Sequence, residues 1–529
     1  MVAKLKSRIM KKNVLFLLGI FFWQITFSQN TIKGIVFEDA NNNGIKERRE
    51  KGIAGVAVSN GVEVTITDQN GNYSLTSGND NIIFVIKPAG YTVPVNRNNQ
   101  PAFYYIHKPQ GSPRGFKYAG VQPTGAIPKS VDFPLIPNQN EEEFTALIFG
   151  DPQPYTQQEV DYFYQGIVEE LIGIKGISFG LSLGDLVGDD LNLHPPYISA
   201  VSKIGVPWYN VIGNHDLNFE ATADSLSDET FEANFGPANY SFNYGKAHFI
   251  ILDDVLYPDP RDGQGYWGGF RPDQIEFIKN NLQHVPKDRL IVLAFHIPFN
   301  NPESALRLSD RQIIFDLLKD YEQVLALSAH THFQRNDLFT DADGWKGKKP
   351  FHEYNAGTTS GDWYSGMLNE QNVPASTMRD GTPKGYAFLN VKGNTYSIDY
   401  KVAGKPADFQ IQIHAPKFLK ANFRTSSRIY ANFFMGRKDS KVEYRINNGE
   451  WRNMIYTEDE DPLYVGKLYE WDISDKVIPH RRPSHPVPST HLWRAPAPAN
   501  LPAGKYTVEV RATDMFGKQH FATHVITVE

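Results

Sequence analysis

The sequence predicts a multidomain chain, with a layered α/β centre flanked by two small all-β sandwiches. At 529 residues it is too long for a single core, and three domains are the expected number. Through the middle, apolar strand-like runs alternate with helical patterns, which argues a layered α/β domain. On either side the text turns to short alternating strands set off by Asn-Gly and Gly-Asn pairs. An abundance of Tyr (26) and Phe (34) beside 42 Gly and 34 Pro fits that β-rich reading.

Lys4, Lys6, Arg8, Lys11 and Lys12 precede an apolar run over residues 14–23. Thr26-Phe27-Ser28 then offers small residues before Gln29. That order reads as a secretory signal peptide over residues 1–28. The run is short of the about 20 residues a spanning helix needs, so an uncleaved anchor is the weaker alternative. An exported protein, periplasmic or extracellular, with no stable membrane insertion after cleavage is expected. The chain has no cysteine, which excludes disulfides, thiolate metal sites and a cysteine nucleophile. Its net charge of −6 is spread along the chain, with no basic stripe beyond the N-terminus, so no nucleic-acid partner is expected. Nothing in the pattern bears on oligomeric state.

Residues 29–137 are expected to form the first β-sandwich. Residues 31–37 and 61–67 alternate like strands, and the segment 109–137 looks like a Pro-rich linker. Residues 68–75 resemble the turn-then-strand signature of transthyretin-like and adhesin B-type repeats. Between residues 39 and 50 the spacing fits a calcium loop of twelve positions. Asp39, Asn41, Asn43, Glu47 and Glu50 supply side-chain oxygens, Ile45 a backbone carbonyl, and Gly44 the turn. The competing reading is a polar turn closed by its own side chains; the spacing favours calcium.

The central domain is expected over residues 142–401. Strands are predicted at 144–150, 177–183, 206–212, 247–252, 290–295 and 324–328, and helices at 159–171, 272–282 and 311–318. Five stretches end these strands: Asp151-Pro-Gln153, Gly184-Asp185-Leu-Val-Gly188, Gly213-Asn214-His215-Asp216, His296-Ile-Pro298 and His330-Thr-His332. A centre with two metal ions about 3.5–4 Å apart needs one shared carboxylate, several imidazoles and further oxygens. Asp185 has two oxygens and can bridge. Asp151 and Asn214 add oxygens, His296 closes a strand, and His330 and His332 can project to one side.

In order and content these blocks resemble the calcineurin-like metallophosphoesterases, which read D-x-H, G-D-x-x-G, G-N-H-[DE], a later His, and G-H-x-H. The match covers about the middle half of the chain. With its flanking domains, the chain is similar to a bacterial exported subgroup. The resemblance implies a central α/β/β/α sandwich and a dimetal phosphoesterase acting on a small phosphate mono- or diester. One metal would take Asp151, Asp185 and His332, the other Asp185, Asn214, His296 and His330. A hydroxide bridging the metals would attack phosphorus, with His215 as general acid oriented by Asp216. Mixed N and O donors point to Mn, Zn or Fe. Gln153 stands where the family has His, and Ala329 where it has Gly. An amide oxygen is a weaker ligand than imidazole, so Gln153 binds metal directly, through water, or not at all. That departure keeps alive a second reading, a ligand-binding protein with a degenerate first metal site and little or no turnover.

Tyr266-Trp267-Gly-Gly-Phe270, Asp362-Trp363-Tyr364 and Arg379-Asp380-Gly381 are expected in loops bordering the centre. From residue 406 to 529 the text is all-β, and closing strands near 504–514 and 524–528 suggest a fibronectin-like sandwich. Trp451, Trp471 and Trp493 there are core residues on the simplest reading, with glycan binding as the alternative.

Overall fold

The computed structural model describes residues 30–138 and 142–529. The expected signal segment lies outside the described residues. Among the described residues, no helix is long and apolar enough to cross a membrane.

Two mixed sheets face one another at the centre. The first runs Trp208–Val211, Ile177–Leu183, Glu143–Phe149, Gly385–Lys392 and Thr395–Val402. Its first three strands are parallel and the last two form an antiparallel hairpin. The second runs Tyr240–Tyr244, Ala247–Ile251, Leu290–Ala294, Gln323–Ser328, Phe351–Asn355 and Arg335–Phe339, with a parallel middle and antiparallel edges. Side chains alternate faces along a strand, and the sequence exploits it. Phe144, Ala146, Ile148, Phe179, Leu181 and Tyr209 join the core shared with the second sheet. Leu147, Phe149 and Trp208 join the other core, with Val160, Phe163 and Tyr197 from the covering helices. Between the sheets, the Phe242 ring lies 4.2 Å from Tyr209 and 4.8 Å from Phe249, nearly parallel to both. This is the expected α/β/β/α layering.

The helix expected over 159–171 is three short pieces. An α-helix at Gln157–Phe163, N-capped by Thr156, passes into a π-turn at Tyr164–Val168 and a 3-10 turn at Glu169–Leu171. Gly166 lies in the π-turn, where a Cβ would come 3.2 Å from the buried Lys384 ammonium. The helix at Pro272–Leu282 begins on its proline as expected.

The N-terminal sandwich pairs two four-stranded sheets. The segment expected to be a linker contributes to it, because Phe133–Pro137 pairs in parallel with Asn30–Glu38. Pro134 and Pro137 hid this strand from a propensity reading. The C-terminal sandwich packs a four-stranded sheet on a five-stranded one. It also carries a helix, Pro462–Asp472, that the sequence reading missed, although Asp461 caps it and Pro462 opens it. Trp493 is core, and Arg445 and Arg511 both lie against the Trp451 ring, 4.5 and 4.3 Å from its centroid.

The N-terminal sandwich is tied to the centre by a buried charge. Lys108 Nζ lies 2.7 Å from Glu229 and 2.6 Å from Glu232, with Asp80 at 3.2 Å. Lys108 is 3% exposed and Glu229 fully buried, so removing the cation strands a carboxylate in a dry interface. Lys108→Met is expected to lower unfolding free energy by about 3–5 kcal/mol, the usual result of deleting one member of a buried pair. Denaturant titration of the full chain checks it.

Candidate metal centre

Every parallel strand that enters this region ends at the same edge. Asp151 follows Glu143–Phe149, Asp185 follows Ile177–Leu183, Asn214 follows Trp208–Val211, His296 follows Leu290–Ala294, and His330 and His332 follow Gln323–Ser328. The two sheets thus deliver their strand ends to one cleft, where α/β folds build sites.

There the side chains converge. His296 Nε2 is 3.1 Å from Asp185 Oδ2, 3.1 Å from Asn214 Oδ1 and 3.2 Å from His330 Nδ1. Asp151 Oδ1 lies 4.0 Å from His296 Nε2 and 3.9 Å from His332 Nε2. Donor atoms of Asp185, His296 and His330 all fall within 4.8 Å of one another, as a single cation requires. Two imidazoles are aimed from behind: His296 Nδ1 lies 2.8 Å from the Leu183 carbonyl and His332 Nδ1 2.9 Å from the Gly361 carbonyl. An Nδ1–H held by a carbonyl fixes the tautomer that leaves Nε2 as a lone pair.

The backbone is bent to make this possible. Asp151, Gln153, Asp185, His330 and His332 all sit at positive φ, between 31° and 69°. Such conformations are costly for non-glycine residues and persist where surrounding structure over-determines them. Gly184 and Gly213 clear the space: a Cβ on Gly184 would meet His296 Nδ1 at 2.5 Å, and one on Gly213 would meet Asp185 Oδ1 at 2.3 Å.

The electrostatics bear on what such a cluster can hold. Asp151 is fully buried, and that burial raises its carboxyl to about 8. Burial alone would push His296 down, yet the Asp185 carboxylate holds it up at about 10. Burial lowers His330 to about 3 and His332 to about 4, so both rings are neutral donors. Gln153 adds a further sign. It is 1% exposed, its Nε2 donates to Tyr155 Oη at 3.3 Å, and its Oε1 is enclosed with no hydrogen-bond partner. A buried acceptor without a donor and a carboxylate short of positive charge both suit cations. The residues fit divalent metal ions, with Gln153 as an oxygen donor.

One expected contact is overturned. Asp216 does not orient His215. It is fully buried, and its carboxylate accepts from the backbone N–H groups of Leu186, Val187 and Gly213 and contacts His194 Nε2. It braces the loop that carries Asp185. His215 is instead held by Asp189, whose Oδ1 is 2.6 Å from Nδ1, while its backbone N–H donates to Asp185 Oδ1 at 2.9 Å. Burial lowers the ring's basicity, but Asp185 and Asp189 raise it to about 9. Asp189 directly follows the Gly-Asp-Leu-Val-Gly block, and that adjacency was the signal available in the sequence. Tyr118 was beyond sequence reasoning: from the N-terminal region, its hydroxyl donates to the Asp189 carbonyl at 2.9 Å.

Of the expected bordering loops, Trp363 stacks on His332 at 4.0 Å and Tyr266 stands edge-on to His330 at 6.1 Å. Trp267 and Phe270 are core, and Asp380 is buried. In the expected calcium loop, Asp39 accepts from the N–H groups of Asn43 and Gly44, Asn43 Oδ1 from Ile45, and Glu50 from Ala40 and Glu47. Asn41 and Asn43 both donate to Glu47. The loop's oxygens are thus occupied by its own donors, and Asp39, Glu47 and Glu50 do not converge as Asp185, His296 and His330 do.

Residues 144–334 match the family model for calcineurin-like phosphoesterase. Residues 40–121 match the model for its N-terminal domain and residues 353–520 that for its C-terminal domain. No curated protein matches the chain. Among solved structures, purple acid phosphatase PPD1 from yellow lupin (Lupinus luteus) seeds is 12% identical over 70% of this chain and 66% of its own, with a TM-score of 0.35. Vps29 from Chaetomium thermophilum is 14% identical over 50% of this chain and all (100%) of its own, with a TM-score of 0.22.

Gly213→Ala places a methyl carbon 2.1 Å from the Asp185 backbone N. The variant is expected to lose most of its bound divalent metal while the flanking sandwiches stay folded. Elemental analysis alongside circular dichroism checks both halves.

Proposed function

The chain belongs to the calcineurin-like phosphoesterases, and from that premise we propose that it is an exported enzyme using two divalent ions, Mn, Zn or Fe, to hydrolyse a small phosphate ester. The observation that carries this reading is the convergence of Asp185, His296 and His330 beside Asp151, Asn214 and His332 at the shared edge of both sheets. The first ion would be held by Asp151, Asp185, His332 and Gln153, the second by Asp185, Asn214, His296 and His330. Such ions supply Lewis-acid charge and lower the pKa of water toward about 7.

The protein's own groups do the rest. Asp185 offers one oxygen toward His296 while its other is fixed by the His215 N–H, so its orientation is set before substrate arrives. Asn214, 4% exposed, stands at the same rim, where its amide can meet a phosphoryl oxygen. His215 keeps its Nδ1 against Asp189, which leaves Nε2 to give a proton to the departing alkoxide. Asp189 takes the orienting part first expected of Asp216. The enclosed, unpaired oxygen of Gln153 supports a working first site over a degenerate one.

Export rests on the N-terminal pattern of positive, apolar and cleavable residues. Calcium at residues 39–50 has only the spacing of its oxygens behind it, since the loop's own N–H and amide groups already meet them.

His215→Ala is expected to slow hydrolysis of a simple alkyl phosphate by about 10²–10⁴-fold and that of p-nitrophenyl phosphate far less, because nitrophenolate leaves unprotonated. Equal losses on both esters would remove His215 from the proton-donor role. Asp189→Asn should reproduce the pattern in weaker form. Asp185→Asn should abolish turnover of both esters together with metal content.

A further inference from the structure

Arg379 stands beside the centre and takes no part in the proposed proton transfer or metal binding. Arg379 is half-buried and forms no ion pair among the described residues. Its Nη2 donates to the carbonyl of Thr331, which lies between His330 and His332, at 3.3 Å. Its guanidinium lies 5.6 Å from the centre of the Trp363 ring, itself stacked on His332. Its Nε is enclosed without a hydrogen-bond partner. A guanidinium presents five donors in a planar fork, and a buried donor left unmet is costly. The Nη donors beyond the one spent on Thr331 form the part of the fork that can receive a ligand anion.

The turn that carries Arg379 is held by the C-terminal sandwich. Val487 N–H donates to the Arg379 carbonyl at 3.1 Å. The neighbouring Asp380 is buried, and its Oδ2 lies 3.0 Å from both the Gln334 N–H and His491 Nε2. Asn432 closes the bracket, with Nδ2 on the Asp380 carbonyl at 3.1 Å and Oδ1 on His491 Nδ1 at 2.7 Å. Gly381 is needed at this junction: it has φ +88°, and a Cβ there would come 2.4 Å from Asp461 Cβ.

We propose that Arg379 binds non-bridging oxygens of the substrate phosphate, and that the C-terminal sandwich, through His491 and Asp380, serves to position it. The inference rests on the phosphoesterase reading and deepens it. A monoester dianion presents more charge to a guanidinium than a diester monoanion, so Arg379 favours monoesters.

Inorganic phosphate titrated calorimetrically into the Mn-loaded full chain tests this without requiring turnover. Arg379→Met, with metal content unchanged, should weaken phosphate binding by about 10- to 100-fold, the usual loss for a charged hydrogen bond. Arg379→Lys should recover part of it, as a point charge without the fork. With esters, Arg379→Met should raise KM for p-nitrophenyl phosphate more than for its bis-ester. Unchanged phosphate affinity in a metal-replete Arg379→Met variant overturns the proposal. His491→Ala should shift phosphate affinity in the same direction and His491→Gln restore it; normal affinity in a folded His491→Ala variant removes the positioning role. Phosphate binding lost in Arg379→Met but with no ester hydrolysed by the wild type would support the arginine's role and sink the enzymatic reading. A wild type that binds no phosphate overturns both.

Discussion

Two carboxylates out of reach of water set the terms for this molecule. Asp151 and Asp185 lie 0% and 2% exposed at the junction of two sheets. Burying a charge is tolerable only when opposite charge and hydrogen bonds are supplied at close range. Much of the central architecture answers that requirement. Parallel strands from both sheets end together, glycines open room where rings and carboxylates would otherwise collide, and five ligand-bearing or adjacent residues accept left-handed backbone. Strain of this kind survives only inside a framework with large packing energy, which the aromatic stack between the sheets provides.

The flanking sandwiches are part of that framework. Lys108 sinks into the central layer, and Tyr118 fastens the carbonyl of the residue that aims His215. On the other side, His491 and Asn432 fix the turn beside the His330–His332 loop. Contacts that hold the residues behind a centre orient it as decisively as its ligands do. Here they come from segments distant in sequence, 71 residues for Tyr118 and Asp189 and 111 for His491 and Asp380.

That separation explains what could be read in advance. The central strands and the helix from Pro272 were legible because local apolar period and a first-turn proline write them directly. The metal-binding stretches were legible because each pairs ligand residue types with glycine or a strand end inside a few positions. Asp216 departs from its expected role because a neighbour in sequence is not a neighbour in space; its carboxylate turns inward to three backbone N–H groups. The Phe133–Pro137 strand was masked by prolines, and the Pro462–Asp472 helix was overlooked despite its cap. Tyr118 and His491 carry no local mark at all, since only the folded chain brings them to the cleft.

The bracket of Asp380, Asn432 and His491 has an evolutionary corollary. A C-terminal sandwich grafted from another protein would have to reproduce those groups at the same seam, however well it folded by itself. Recombination at the boundary is therefore filtered by a few side chains, and the centre and the C-terminal sandwich are constrained to travel as a unit.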